Sequence, residues 1–121
     1  MHKSTNWLFI AGFFGFTGIA LGAFGSHVFS DKLSENMFDI YKTGVFYHLI
    51  HTIVIAVIAI SHGKNFYLSA LFFSIGIVLF SFSLYTYSLT GDTFFAMITP
   101  VGGTFFLLGW LSLMWKALSK K

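Results

Sequence analysis

Histidines are the residues of this chain best suited to chemistry. His48 and His51 lie three residues apart in one apolar run, so a helix would hold them one turn apart. His27 lies at the end of an earlier apolar run. Three imidazoles can bind a divalent ion such as zinc, but the spacing of these three does not fix a complete ligand set. We therefore expect no metal and no cofactor, while a metal site, a bis-histidine haem and a protonation switch stay as alternative hypotheses.

Groups for covalent or acid–base catalysis are sparse. Cysteine is absent, which excludes a thiolate nucleophile, a disulfide framework and a cysteine metal site. The four acidic residues give no carboxylate pair within an apolar run, and no serine has an evident base at helical spacing. We predict that the protein is not an enzyme, although a pairing of His48 with Ser81 or Ser83 through the fold stays open.

The composition is that of a membrane protein. Hydrophobic residues make up 56% of the 121 residues and charged residues 9%, too few to cover a water-soluble domain. The basic residues are lysines at the ends of apolar runs, whereas nucleic-acid-binding proteins cluster basic residues on one face. We expect the lipid bilayer, and no nucleic acid, as the environment and partner.

Four uncharged stretches, 4–30, 43–63, 65–91 and 93–115, are each long enough to cross the bilayer as a helix. We predict an all-α integral membrane four-helix bundle, one transmembrane domain over residues 1–121, with helices at about 5–28, 35–62, 66–90 and 93–117. Ser34 is a suitable N-cap, and a short interfacial helical segment is expected before helix 2, bent at Gly44. Gly63 and Gly91 suit the two tight turns.

Lysine counts predict the orientation. Four crossings place both termini on one side of the membrane, together with the turn between helices 2 and 3. That side carries five lysines: Lys3, Lys64, Lys116, Lys120 and Lys121. The other side carries two, Lys32 and Lys42. The positive-inside rule then places both termini in the cytoplasm. We expect a multi-pass protein of the plasma membrane or the bacterial inner membrane.

Small residues predict how the helices pack. Helix 1 has glycines on one face, and helix 4 has three more (Gly12, Gly15, Gly18, Gly22 and Gly25; Gly102, Gly103 and Gly109). Helix 3 has small residues on two opposed faces, which places it between partners inside the bundle or across an oligomer contact. Because four helices enclose little interior, we favour a homo-oligomer. Pro100 is expected to kink helix 4, the alternative being a helix that starts there with Thr99 as its cap.

Motifs in order along the chain resemble a known family: "GAFGSH" (22–27), "YH" (47–48), "FSFSLY" (80–85), "TPVGG" (99–103) and "GW" (109–110). The chain is similar to the domain-of-unknown-function family 423, called UPF0382 or YgdD-like in bacteria and including the eukaryotic transmembrane protein 256. It departs from the pattern at Phe82, where a glycine is expected. The resemblance implies an integral membrane protein with four helices and carries no established activity.

The orientation predicts one polar cluster in the outer third of the membrane, formed by His27, His48, His51, Ser81, Ser83, Tyr85 and Thr99. Hydrogen bonding between helices is its simplest role, and a small-molecule or lipid pocket lined by Phe is an alternative. We predict a small multi-pass membrane protein that is a non-enzymatic packing or binding module. The alternative is an oligomeric transporter or channel for a small solute or ion.

Overall fold

Four long helices make up the computed structural model of the chain. The structure describes residues 2–61 and 66–119, with the backbone alone for residues 2 and 3. The helices are α1 (Ser4–Phe29), α2 (Glu35–Ile60), α3 (Tyr67–Thr90) and α4 (Thr93–Ser119), and each is long and apolar enough to cross a membrane. The prediction of an all-α membrane bundle is confirmed. Gly63 and the predicted end of helix 2 at residue 62 lie outside the described residues.

The helix ends and the proline follow local chemistry. The hydroxyl of Ser34 caps α2 by accepting from the Met37 N–H at 3.2 Å. Gly91 ends α3 with a φ of 74°, the left-handed conformation that glycine adopts without strain. α2 runs without interruption from Glu35, so the expected interfacial segment is the first part of α2 itself. α4 likewise passes through Pro100 as one helix, and Thr99 is not its cap.

α2 and α3 form the centre of the bundle, with α1 packed on α2 and α4 packed on α3. In the most apolar stretch of α2 and of α3, 39% of residues are buried, against 17% in α1 and α4. The buried apolar core draws on all four helices: Ala11, Phe14, Ile55, Ile58, Ala70, Phe73, Ile77 and Phe106. The outer faces of α1 and α4 are therefore left to the acyl chains of the lipid.

The glycines of α1 let it approach α2 closely. A Cβ on Gly18 would lie 2.5 Å from the Leu49 side chain, and one on Gly25 would overlap the Tyr41 hydroxyl. Gly15 and Gly22 also face α2. Gly12 differs from the prediction, because it is exposed and a Cβ there would meet nothing within 4 Å. The contact uses four of the five predicted glycines.

The contact between α3 and α4 is closer still. A Cβ on Gly102 would overlap the backbone of Leu79 and Phe80, whereas one on Gly103 would make ordinary contacts with the Phe80 ring at 3.6 and 3.8 Å. Gly109 leaves room for the ring of Phe73. All three helix 4 glycines therefore face α3, and only at Gly102 does backbone meet backbone.

The two small-residue faces of α3 are both used inside the bundle. On one face, Ser69 and Ser83 bond α4, and Gly76 leaves room for the Phe106 ring of α4. On the other face, Ser81 donates to the Gly44 carbonyl of α2 at 2.7 Å. α3 is thus sandwiched between α2 and α4, the first of the two arrangements that its sequence allowed.

Candidate functional site

The buried polar side chains lie at several helix contacts rather than in one layer. We call the end of the bundle with residues 30–34 and 91–92 the loop end. His48 is near the middle of α2 and contacts the middle of α1, and His51 is one turn farther from the loop end. Ser83 and Thr99 lie nearer to the loop end. The predicted cluster is therefore distributed over several helix contacts, and its depth in the membrane stays a prediction.

His48 joins three helices. Its Nε2 lies 2.8 Å from the Phe14 carbonyl of α1 and 3.4 Å from the Thr17 hydroxyl, and its Nδ1 lies 2.9 Å from the Tyr85 hydroxyl of α3. Because a carbonyl only accepts, Nε2 carries the proton. In the neutral ring Nδ1 then accepts from Tyr85. The imidazole is completely buried, and the ring of Phe82 lies edge-on to it at 5.4 Å.

The orientation of Tyr85 explains this contact. Side chains on a helix point back toward its N-terminus. α3 begins at the end of the bundle opposite the loop end, so the side chain of Tyr85 points away from the loop end, and its hydroxyl meets His48. Phe82, the position at which the sequence departs from the family pattern, covers the same imidazole.

His51 joins α2 to α4. Its Nδ1 lies 2.8 Å from the carbonyl of Tyr47, and its Nε2 accepts from the indole N–H of Trp110 at 3.1 Å. An indole only donates and a carbonyl only accepts, so this imidazole is neutral and carries its proton on Nδ1. The Phe106 ring stacks on it, with centroids 3.8 Å apart and planes 8° from parallel. The two histidines therefore hold opposite tautomers and point toward different helices.

Hydroxyl groups make the remaining contacts of the predicted cluster. Ser83 and Thr99 share a hydrogen bond of 2.6 Å between α3 and α4. Ser81 bonds the Gly44 carbonyl, so neither serine is a hydrogen-bond partner of His48. The pairing of His48 with a serine, which the sequence left open, is not formed.

Two helices contain a wider π-helical turn beside these contacts. In α1 the turn covers Ala20–Gly25, and the hydroxyl of Tyr41 donates to the Leu21 carbonyl within it at 2.6 Å. In α3 the turn covers Ile77–Ser81 and ends at the serine that bonds α2. Such turns add one residue to a helix and alter the direction of its side chains and carbonyls. Here they bring a carbonyl of α1 and a hydroxyl of α3 into contact with α2.

His27 stands apart from the other predicted site residues. It is exposed in the last turn of α1, nine residues beyond Gly18, which faces His48. At the rise of an α-helix this is a separation of about 13 Å along the axis. Among the described residues, no three His, Cys, Asp or Glu side chains are placed to hold a metal ion. The lone pairs of His48 and His51 are also occupied by donors, so neither ring presents a ligand atom.

Tyr41, Gly44, Phe106 and Trp110 contribute to the site and were not predicted as site residues. Tyr41 is completely buried, and the ring of Tyr85 packs against the backbone of Gly44. A sequence signal existed for these two, because Tyr41, Gly44, His48, Thr52 and Ile55 recur at spacings of three and four on one face of α2. Phe106 and Trp110 face His51 at the spacing of one helical turn.

A groove between α2 and α4 opens to the lipid beside His51. It has a volume of about 390 Å³ and is lined mainly by aromatic and aliphatic side chains, including those of Tyr47, Phe80, Leu107 and Trp110. The ring of Tyr47 lies 4.8 Å from that of Phe80 and is partly exposed. The groove is mainly apolar, and both ring nitrogens of His51 beside it are already engaged in hydrogen bonds.

Comparison with known proteins agrees with this architecture. The family model described as "Protein of unknown function (DUF423)" matches residues 21–103. The UPF0382 inner membrane protein YgdD of Escherichia coli K12 is 38% identical over 118 residues, which cover 94% of this chain and 90% of the relative. The chain belongs to this family. The resemblance drawn from the sequence motifs is confirmed.

Two other bacterial relatives are similar over most of their length. The UPF0382 membrane protein of Haemophilus influenzae is 37% identical and covers 96% of each chain. The UPF0382 membrane protein YwdK of Bacillus subtilis is 35% identical, covering 79% of this chain and 82% of the relative. No solved structure matches the chain. The names of these relatives place them in membranes, and with its four apolar helices this chain is a multi-pass membrane protein.

The part of the chain that the DUF423 family model matches begins inside the π-helical turn of α1 and ends at Gly103. It includes His48, His51, Tyr85 and Thr99, and stops before Trp110. The family match therefore contains both imidazoles. It includes His51, the acceptor of the hydrogen bond from α4 to α2, but not Trp110, the donor. What the arrangement does chemically is to hold four helices together through neutral hydrogen bonds.

Proposed function

We propose that this family member is a non-enzymatic packing and binding module of the cell membrane. It acts through association with lipid, with other membrane proteins or with copies of itself. The bacterial relatives favour the inner membrane, and the lysine distribution favours termini in the cytoplasm. A binding role is consistent with the wide, apolar outer faces of α1 and α4.

One observation carries the proposal: the buried polar groups are already paired. Among the described residues, every buried side-chain nitrogen and oxygen has a hydrogen-bond partner. General acid–base or nucleophilic chemistry needs a group that is exchangeable with substrate. His48, His51 and Tyr85 are instead bound to other helices, so they stabilise the fold. Function is then left to the outer surface.

Self-association is part of the proposal, and the absence of cysteine makes it testable. Gly12 lies on the exposed face of α1, and a side chain there meets no other part of the chain, whereas Ser69 is completely buried. In membranes, a single cysteine replacing Gly12 is expected to form oxidant-dependent dimers, and a single cysteine replacing Ser69 is the matched control. Failure of cysteines at Gly12 and at other exposed positions of α1 and α4 to cross-link would refute self-association.

A flux measurement tests the module against a transporter. Purified protein is reconstituted at several copies per vesicle, and the flux of K⁺, H⁺ and small neutral solutes is followed by dye fluorescence and light scattering. Vesicles with the protein should show the same flux as protein-free vesicles, and a pore-forming peptide is the positive control. Flux that rises with the amount of protein would contradict the proposal of a non-enzymatic packing and binding module.

The transporter or channel alternative has one observation in its favour. His48 and His51 are ionisable residues within a helix long and apolar enough to cross the membrane, and such residues commonly mark a transport pathway. Their four ring nitrogens are all engaged, and the core around them is apolar. A pathway would therefore have to form between copies of the chain, and the flux measurement detects it in either case.

A further inference from the structure

Two cavities on the lipid-facing side of α2 adjoin each other through Tyr47. One is the groove between α2 and α4 described above. The other, of about 560 Å³, lies nearer the loop end and is lined by Asp39, Lys42, Thr43 and Phe46, together with Tyr47. Tyr47 lines both, so they form one surface that is polar at the loop end and apolar toward the membrane centre. We call it the α2 surface.

The polar part of the α2 surface lies at the level of lipid headgroups. Beyond Lys42, α2 carries no charged residue to its end at residue 60, a length of about 27 Å that matches the hydrocarbon thickness of about 30 Å. Lys42 therefore marks the boundary between hydrocarbon and headgroups. His51, beside the inner part of the groove, is nine residues farther along, about 13 Å deeper. The surface spans one leaflet.

The two charges of the α2 surface form a pair. Lys42 Nζ lies 3.5 Å from the Asp39 carboxylate and 4.9 Å from the centroid of the Phe38 ring. The side chains of both charged residues are more than half exposed, at 54% and 65%. An anionic headgroup would meet the repulsion of Asp39. A headgroup that carries a phosphate and a primary ammonium meets an opposite charge for each.

We propose that the α2 surface binds one phospholipid of the phosphatidylethanolamine class. The phosphate faces Lys42, the ammonium faces Asp39, and one acyl chain fills the groove between α2 and α4. Tyr47 lies between the headgroup and the acyl chain of the lipid. Its hydroxyl makes no hydrogen bond within the described part of the protein and is available to an ester carbonyl of the lipid. A choline headgroup has no N–H to donate and fits the pair less well.

This inference deepens the proposed binding function and rests on it, and its test is separate from the flux measurement. The chain has three tryptophans, and Trp110 lines the groove. A variant with Trp7→Phe and Trp115→Phe leaves Trp110 as the sole fluorophore. Its quenching is measured in phosphatidylcholine vesicles that contain an equal mole fraction of one acyl-brominated lipid, either phosphatidylethanolamine, phosphatidylglycerol or phosphatidylcholine.

Brominated phosphatidylethanolamine is expected to bind the site with about threefold higher affinity than the other two lipids. This difference corresponds to the interaction energy of a partly exposed charge pair. Asp39→Asn with Lys42→Gln should abolish this preference, and both positions are exposed, so the fold is retained. Gly103→Leu, which places a side chain in the groove, should reduce the quenching by every brominated lipid.

A second single-tryptophan protein is the control for position. Trp115 is 70% exposed and lies at the other end of the bundle, so after Trp7→Phe and Trp110→Phe it should be quenched equally by all three lipids. Equal quenching of Trp110 by the three lipids would show annular lipid only and overturn the site. A preference for phosphatidylglycerol, or one that survives Asp39→Asn with Lys42→Gln, would overturn it as well. None of these results would bear on the absence of flux.

Discussion

Adding one methyl group at either of two neighbouring glycines of α4 should have opposite effects on stability. Gly102→Ala places a Cβ against the backbone nitrogen of Phe80 and the carbonyl carbon of Leu79, atoms of α3 that no rotamer change can move. Gly103→Ala places it in ordinary contact with the Phe80 ring, at 3.6 Å. The two variants share the same added group, helix and neighbouring residue.

The size of the difference follows from two terms. Alanine favours the helix over glycine by up to about 1 kcal/mol at either position. Overpacking at Gly102 costs about 1–3 kcal/mol more, because α3 and α4 must move apart along their whole contact. We expect Gly102→Ala to lower the free energy of unfolding by about 1 kcal/mol and Gly103→Ala to raise it by up to about 1 kcal/mol, a difference of about 2 kcal/mol between the two variants.

Titration with sodium dodecyl sulfate from mild detergent micelles, followed by circular dichroism, measures both free energies of unfolding. The retained helix content of the native variants is the control for misfolding. If Gly102→Ala and Gly103→Ala have the same stability, α3 and α4 do not approach as closely as the structure shows. A more stable Gly102→Ala variant would contradict the contact outright.

Two further predictions concern the hydrogen bonds between helices. His48→Ala leaves the Tyr85 hydroxyl without its acceptor and should lower the free energy of unfolding by about 2 kcal/mol. The control, His27→Ala at an exposed position, should change it by less than about 0.5 kcal/mol. Equal effects of the two substitutions in thermal melts would contradict the role of His48. Ser83→Ala and Thr99→Val should each cost about 0.6 kcal/mol, and a double-mutant cycle should give a coupling of similar size, because the two hydroxyls share one bond of 2.6 Å. Additive effects would show that the bond contributes nothing.

The fold could be predicted from the sequence because the bilayer imposes it. Uncharged runs of sufficient length have few alternatives to helices in hydrocarbon, and the glycines of α1 and α4 mark faces where another helix must approach. Gly12 shows the limit of this reasoning. It continues the α1 glycine spacing, yet it lies on the exposed face of α1, although α1 still contacts α2 beyond it, where the Ser4 hydroxyl donates to the Ala59 carbonyl at 2.7 Å. The spacing alone does not show which side of the helix meets its neighbour.

The site was less predictable, for reasons of direction and depth. Helical spacing placed His48 and His51 on one face, but a 60° difference around α2 is enough to send one ring to α1 and α3 and the other to α4. The wider turn in α1 and the long reach of Tyr85 shift which groups meet at one level. Both effects depend on packing between helices, so composition and periodicity do not reveal them.

The central claim is that the two buried imidazoles are neutral structural groups whose ring nitrogens are all engaged, three by other helices and the Nδ1 of His51 by the Tyr47 carbonyl of α2. Nitrogen-15 NMR of histidine-labelled protein in lipid bilayers tests it most directly, with His48→Gln and His51→Gln assigning the signals. We expect His48 to be protonated on Nε2 and His51 on Nδ1, with both spectra unchanged when Zn²⁺ is added. Doubly protonated rings, a shared tautomer or zinc-shifted resonances would contradict the claim.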